Sequence, residues 1–146
     1  MDFIPLSTIL ARGEKSISPR ALYQLQQPLV EALIEWRDSS STGQQLTEQA
    51  IEISSDGKHV RLLDASGDEV QNIASYGTIL LTAMSHSTLR DKRLRRIAEQ
   101  CARGEVANLE TLHLMLERMV SSTIYCLLLA VILTGIAILA TYQILH

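Results

Sequence analysis

This sequence of 146 residues has few of the features that mark enzymes. It has no P-loop, no Rossmann glycine fingerprint and no nucleophile elbow, so the usual signatures of nucleotide-binding and hydrolytic enzymes are absent. Its formal net charge of −3 gives no reason to expect nucleic acid as a partner. Only two cysteines occur, Cys101 and Cys126, which is too few for a disulfide-rich scaffold.

The histidines and acidic residues show no metal-binding pattern. The histidines concerned are His59, His86 and His113. They lack zinc-ligand spacing and have no cysteine partner nearby, so we expect them to be exposed or half-buried. Asp64, Asp68 and Glu69 could together bind a cation, but two or three carboxylates rarely hold a divalent ion without further oxygen ligands. We favour a solvated acidic loop and predict neither a metal nor a cofactor.

Formal charge is also absent from the last stretch of the chain, Met119 to Leu145. As a helix, Ile124 to Leu145 would be about 33 Å long, enough to cross a hydrocarbon core of roughly 30 Å. The alternative is a buried core helix, but a small domain has little room for a helix that is apolar on all sides. We predict a domain at 1–118 and a single-pass transmembrane helix at 119–146.

The distribution of basic residues predicts an orientation. All 13 Lys and Arg precede the apolar segment, so the positive-inside rule predicts a cytoplasmic N-terminal domain and a C-terminal tail anchor. Met1–Pro5 lacks the basic and apolar regions of a signal peptide. The compact chain suggests a bacterial inner membrane. In a reducing cytoplasm Cys101 is expected to be a small buried residue, and Cys126 to face lipid or a neighbouring helix, with acylation as an alternative.

Hydrophobic periodicity predicts the elements of the first part of the domain. Met1–Pro5 is expected to be extended and to lead into a short helix near Ser7–Ala11. Ser18-Pro19 predicts the start of a long helix, with Ser as N-cap and Pro at the first helical position. Pro28 lies inside this helix and predicts either a kink or a break into two helices. Alternating apolar residues at 51–62 predict a hairpin around Asp56-Gly57.

Three helices are predicted after the hairpin. The first runs from about Gln71 to Ser85, and Asn108 is expected to cap the third, which continues without a break toward the apolar segment. The buried stripe of the second helix is Leu94, Ile97, Ala98 and Cys101.

The other face of this second helix is basic. Its residues are Arg90, Lys92, Arg93, Arg95 and Arg96. They are candidates for contact with anionic lipid head groups, where each basic residue contributes about 1 kcal/mol. The alternative is an ordinary solvated face of an amphipathic helix.

Five segments follow one another in an order found in one large family. They are Met1–Leu10, Ile17–Trp36, Ile53–Asp64, Ile73–Leu81 and Leu94–Glu105. They resemble, in turn, the hinge, the long helix before the catalytic loop, the hairpin before the DFG motif, the central buried helix and the closing helices of a protein kinase C-terminal lobe. Ile-Ala-Ser-Tyr-Gly-Thr-Ile-Leu-Leu at 73–81, for example, is similar to D-V-Y-S-L-G-V-I-L. The resemblance implies an α+β, mostly α fold over residues 1–118.

The same resemblance implies an inactive domain. It places Gln45 at the catalytic Asp and Ala50 at the metal-binding Asn of the catalytic loop. Asp64 stands at the DFG Asp, but Ala65-Ser66 replaces Phe-Gly, and Asn72 replaces the structural Asp of the central helix. The Gly-rich loop and the Lys that grip ATP have no counterpart. We therefore expect a pseudokinase-like protein that is not an enzyme.

These expectations define a function. The absent N-terminal lobe would leave an apolar surface around Met1–Leu10 and the hairpin, and such surfaces usually find partners. We predict a membrane-anchored scaffold or regulatory module that contacts membrane lipid and binds a protein partner or a second copy of itself. One alternative is the C-lobe half of a split Ser/Thr-type kinase that receives its N-lobe from another chain. Another is a lipid-surface protein acting through the basic cluster.

Overall fold

The computed structural model of the chain describes residues 2–38, 46–63 and 68–145. The described residues are mostly helical, with one small sheet and one long apolar helix at the C-terminal end, in agreement with the expected class. The elements in chain order are β1 (Phe3–Pro5), α1 (Leu6–Leu10), α2 (Pro19–Asp38), β2 (Ile51–Ser54), β3 (Val60–Leu62), α3 (Glu69–Ser85), α4 (Lys92–Ala102) and α5 (Leu109–Leu145).

Internal contacts divide the chain into two units, Met1–Leu116 and Glu117–His146, and the division falls within α5. The first unit has its own hydrophobic core. Its fully buried side chains come from α1, α2, α3, α4, the sheet and the first turns of α5; they include Leu6, Leu22, Ile51, Ile73, Leu94 and Leu112.

The predicted hairpin is confirmed. Ile51 of β2 lies opposite Leu62 of β3, and Ile53 opposite Val60, in an antiparallel pair. Ile51, Ile53 and Leu62 are buried, as the alternating pattern requires. In the turn, Gly57 adopts φ 71°, a conformation that glycine reaches without steric cost.

A third strand adds to this hairpin. Ile4 of β1 lies opposite Ile53 of β2, so the strand order is β1-β2-β3. The sequence predicted only an extended segment here, because three residues ending in proline carry no periodic pattern. The Arg61 guanidinium lies 4.5 Å from the centre of the Phe3 ring, and its Nε donates to the Glu52 carboxylate at 2.8 Å. One side chain therefore links all three strands.

Several apolar side chains of Met1–Leu10, where an exposed apolar surface was expected, are buried or half-buried. Leu6 and Leu10 are core residues with 0% and 5% exposure, and Phe3, Ile4 and Ile9 are half-buried. Pairing of β1 with β2 brings α1 onto the sheet, which covers side chains that the sequence alone leaves open.

Helix α2 begins as predicted. The Ser18 hydroxyl accepts a hydrogen bond from the Ala21 amide at 3.1 Å, and Pro19 is the first helical residue. The helix continues through Pro28 to Asp38, which excludes the second of the two expected alternatives, a break into two helices. A proline inside a helix costs about 3 kcal/mol, and burial of Leu25 and Leu29 on either side of it offsets that cost.

Helices α3 and α4 approach each other closely at Gly77. A Cβ placed on Gly77 of α3 would lie 2.4 Å from the Ala102 amide nitrogen, 2.5 Å from the Ala98 carbonyl oxygen and 2.8 Å from Cys101 Cβ. Only a residue without a side chain allows this approach. The four predicted stripe residues of α4 are all buried, and burial raises the pKa of the Cys101 thiol to about 12.

The neighbouring residue of α3 anchors a buried polar pair. The Tyr76 hydroxyl donates to Gln26 Oε1 of α2 at 2.5 Å, and Gln26 Nε2 donates to the Leu22 carbonyl at 2.7 Å. Both side chains are buried, and their polar groups are paired, as burial demands. Sequence analysis identified neither partner.

We predict that Gly77→Ala destabilises the first unit by about 1–3 kcal/mol, the usual cost of overpacking a well-packed contact. The measurement is urea unfolding of the full chain in non-ionic detergent, followed by fluorescence of the single tryptophan, Trp36. The control is Thr78→Ala, the next residue on the exposed side of α3, which should change stability by less than about 0.5 kcal/mol. Equal midpoints for both variants would refute the close-contact argument.

Candidate functional site

Helix α5 carries the most prominent apolar surface. Among the described residues it is the helix with the length and composition needed to cross a membrane, and none of its most apolar window is buried within the structure. Large side chains are exposed along it, with Leu127 at 63% and Val131 at 70%. Exposed apolar area on this scale marks a surface that contacts lipid or protein.

Two threonine side chains inside this stretch are satisfied by their own helix. Thr134 Oγ1 donates to the Ala130 carbonyl at 2.8 Å, and Thr141 Oγ1 donates to the Ala137 carbonyl at 2.6 Å. Hydrocarbon offers no hydrogen-bond partner, so a spanning helix must satisfy its polar groups internally. The chemistry of the helix is therefore compatible with a bilayer.

Helix α4 holds most of the predicted basic cluster. Asp91 caps it, accepting hydrogen bonds from the amides of Arg93 at 2.8 Å and Leu94 at 3.3 Å. The prediction placed Arg90 on the helix face, and this is wrong: Arg90 precedes the Asp91 cap. Lys92, the first helical residue, and Arg96 one turn later are both exposed.

The five basic residues divide into two groups. Two have acidic neighbours: Arg93 Nε lies 3.9 Å from Asp91 Oδ1, and Arg95 Nε lies 3.3 Å from Glu99 Oε1. The other three, Arg90, Lys92 and Arg96, have no acidic side chain within 4.0 Å among residues 2–38, 46–63 and 68–145. We call these three the basic surface.

An open groove of about 550 Å³ lies beside this surface. Its apolar lining comes from Leu81, Met84 and Leu89, and its charged lining includes Arg90, Asp91, Lys92, Arg95 and Glu99. The groove thus offers apolar and charged contacts side by side.

Asp91 also joins α4 to α2. The Tyr23 hydroxyl of α2 donates a hydrogen bond to the Asp91 carboxylate. Burial raises the pKa of Tyr23 to about 12, with a further contribution from Asp91. Burial alone would raise the pKa of Asp91, but the hydrogen bonds from Tyr23 and from the amides of Arg93 and Leu94 outweigh it, so the pKa is lowered.

The start of α5 is fixed by a second polar cluster. Asn108 caps it as predicted, accepting a hydrogen bond from the Thr111 amide at 2.8 Å. Glu69 of α3 accepts a hydrogen bond from the Leu109 amide at 2.7 Å and lies 3.4 Å from Arg37 of α2. Arg37 also pairs with Glu110 and lowers the pKa of that carboxyl through this hydrogen bond.

Of the three acidic residues considered as cation ligands, two bind backbone amides of the chain itself. Asp68 caps α3 by accepting from the Val70 amide at 3.1 Å, and Glu69 binds the start of α5. Asp64 lies outside the described residues. Among those that are described, no group of three or more His, Cys, Asp or Glu could hold a metal.

The histidines are placed as expected. His59 is exposed, whereas His86 and His113 are half-buried. His86 Nδ1 lies 3.1 Å from the Gly13 carbonyl oxygen, so this ring ties the end of α3 to the loop before α2.

Of the positions singled out by the kinase resemblance, Ala50 is described and Gln45 lies outside the described residues. The Ala50 amide donates to the Thr47 carbonyl at 3.1 Å, and its carbonyl accepts from the Leu63 amide at 2.8 Å. Its methyl group cannot bind a metal. Asn72 is buried in α3. No protein-family model, curated protein or solved structure matches this chain.

Sequence analysis missed the Tyr23–Asp91 and Arg37–Glu110 pairs. The residues of these pairs lie 68 and 73 positions apart, and no local pattern reports such contacts. Only the helix cap at Asp91, an acid directly before an amphipathic helix, could have been recognised.

We predict that Asp91→Ala lowers the free energy of unfolding by about 1 kcal/mol through loss of the helix cap. Asp91→Asn should lower it by less, because asparagine caps a helix about as well as aspartate. Because the folded pKa of Asp91 is lowered, its charge contributes stability above an unfolded pKa of about 3.9, and that contribution disappears as pH falls through the folded pKa. Urea unfolding at pH 7 and at successively lower pH should show the wild-type advantage over Asp91→Asn shrinking below about pH 4. A constant difference would contradict this assignment.

Proposed function

We propose that this chain is a catalytically inactive, kinase-like module that is anchored in a membrane by α5 and acts by binding a protein partner there. The observation that carries the proposal is the exposed apolar stretch of α5 in a chain whose first unit has its own core. A surface of this kind is unfavourable in water and favourable in hydrocarbon.

The charge pattern supports a cytoplasmic first unit. Arg118 directly precedes the uncharged segment, and Arg103 lies 16 residues before its first residue, Met119. Basic residues this close to a span set its orientation through the positive-inside rule. Tyr125 and Tyr142 near the two ends suit the membrane–water interfaces.

The order of elements supports the kinase-like part of the proposal. A long helix, a hairpin, a buried central helix and closing helices follow one another in the order that the sequence resemblance implies. The central helix α3 is largely buried, with Ile73, Tyr76 and Leu80 in the core.

The residue types at the catalytic positions argue against phosphoryl transfer. Transfer depends on a Lys and metal ions that stabilise charge, and on a carboxylate that positions the nucleophile. Gln45 has no carboxylate to accept a proton, and Ala50 cannot bind a metal ion. This also disfavours a split kinase, because an N-lobe supplied in trans would not restore these two side chains.

We predict that lysines inside the span release the protein from membranes. Leu129→Lys with Leu133→Lys places two charges in the middle of the apolar stretch, each costing about 2.5–3.5 kcal/mol on insertion. After alkaline carbonate extraction of cells, wild type should stay in the membrane pellet and the lysine variant should move to the supernatant. The matched control is Leu129→Ala with Leu133→Ala, which should stay in the pellet.

The same variants test the partner. Crosslinking in intact cells should yield a discrete adduct of wild type and of the alanine control, and the adduct should weaken in the lysine variant. A lysine variant that stays in the pellet would refute the anchor, and an absence of any adduct in all three would refute the scaffold role.

We also predict that the purified full-length chain neither binds Mg-ATP nor transfers phosphate. Calorimetric titration of Mg-ATP into detergent-solubilised protein should give no heat of binding. A kinase of known activity in the same detergent serves as the positive control. Micromolar affinity would overturn the assignment as an inactive module.

A further inference from the structure

We infer that the basic surface, Arg90, Lys92 and Arg96, docks onto the anionic lipid head groups of the membrane that holds α5. This deepens the proposed function and rests on it, because it assumes that α5 brings the chain to a bilayer. The first step of the argument is charge segregation. Residues 90–103 contain six basic and two acidic residues and have a net charge of +4. The whole chain has a net charge of −3, so its other residues together carry −7.

The second step is the geometry of α4. Its stripe of Leu94, Ile97 and Ala98 is buried, which orients the opposite side of the helix outward. Lys92 and Arg96 are four residues apart and thus neighbours on that outward side. A helix whose apolar stripe is packed presents these charges without the entropic cost of ordering a loop.

The third step is that only some of the basic side chains have an acidic side chain nearby. Arg93 and Arg95 face Asp91 and Glu99, which partly neutralise them. Each residue of the basic surface has no acid within 4.0 Å in the described part of the chain. Its cationic groups are therefore available to an external anion.

The chemistry beside the surface favours lipid over other anions. The groove next to Arg90 and Lys92 has an apolar wall of Leu81, Met84 and Leu89. A phospholipid offers phosphate to the cations and glycerol and acyl carbons to such a wall, whereas nucleic acid or an acidic protein surface offers little apolar contact. Only residues 103–118 separate α4 from the uncharged segment in the chain, so anchoring keeps the local concentration of lipid high.

The test uses the full chain with Thr88→Cys and Cys126→Ala, labelled with a fluorophore at position 88. Thr88 is exposed and uncharged beside Arg90, and Cys101 is buried with a pKa of about 12, so it should not react. The protein is reconstituted into vesicles that carry a head-group quencher, made of phosphatidylcholine alone or of phosphatidylcholine with phosphatidylglycerol. Flotation with neutral vesicles reports insertion of α5 separately.

Quenching should be strong in the anionic vesicles, weak in the neutral ones, and reduced by added salt. Arg90→Glu/Lys92→Glu/Arg96→Glu should lower the ratio of docked to undocked protein at least about a hundredfold, since each cation contributes about fivefold near an anionic surface. Glu at position 92 is favourable in a first helical turn, and circular dichroism checks that the variant is folded. The matched control, Arg12→Glu/Arg20→Glu/Lys58→Glu, makes the same charge change at exposed sites and should quench like wild type.

Each other outcome is decisive. Flotation with neutral vesicles together with equal quenching in both vesicle types would overturn the docking surface and leave the anchor intact. Failure to float with neutral vesicles, together with charge-dependent quenching by anionic ones, would overturn the anchor and leave the docking surface. A third outcome is equal quenching in the anionic and the neutral vesicles, together with loss of the protein adduct when the charge-reversed variant is crosslinked in cells. This outcome would assign the surface to an acidic protein partner and overturn the lipid inference.

Discussion

The contact between α3 and α4 at Gly77 is the constraint on which the rest of the first unit depends. Backbone atoms of α4 lie where a side chain on Gly77 would be, so at this point no side chain of α3 separates the two helices. This contact fixes which side of α4 is buried. Because the apolar stripe of α4 is buried by this packing, the basic residues of α4 face the solvent. The charged surface is therefore a consequence of the packing.

Polar pairs of long sequence separation set the positions of the helices around that contact. Tyr76 and Gln26 join α3 to α2 in the core, and Tyr23 and Asp91 join α2 to the start of α4 at the surface. Arg37, Glu69 and Glu110 bring together the end of α2 and the starts of α3 and α5. Surface ion pairs of this kind contribute little stability individually, so their main effect is to position helix ends.

The two features proposed to act at the membrane, the apolar stretch of α5 and the basic surface, differ in physical character. Insertion of the apolar stretch of α5 would depend on hydrophobic transfer, which scales with buried area and is not screened by salt. The basic surface depends on charge, which salt screens within about 10 Å at moderate ionic strength. In the proposed function, the first feature would hold the chain at a bilayer of any composition, while the second would respond to the amount of anionic lipid in it.

Local patterns in the sequence were enough to determine the hairpin, the caps at Ser18 and Asn108, the buried stripe of α4 and the apolar stretch of α5, because each depends on neighbours a few residues apart. The tertiary structure alone decided the rest. It paired β1 with the hairpin and carried α2 through Pro28. The close approach at Gly77 and the pairing of Tyr76 with Gln26 belong to the same group. These depend on contacts between residues far apart in the chain, and such contacts exist only once the helices have packed.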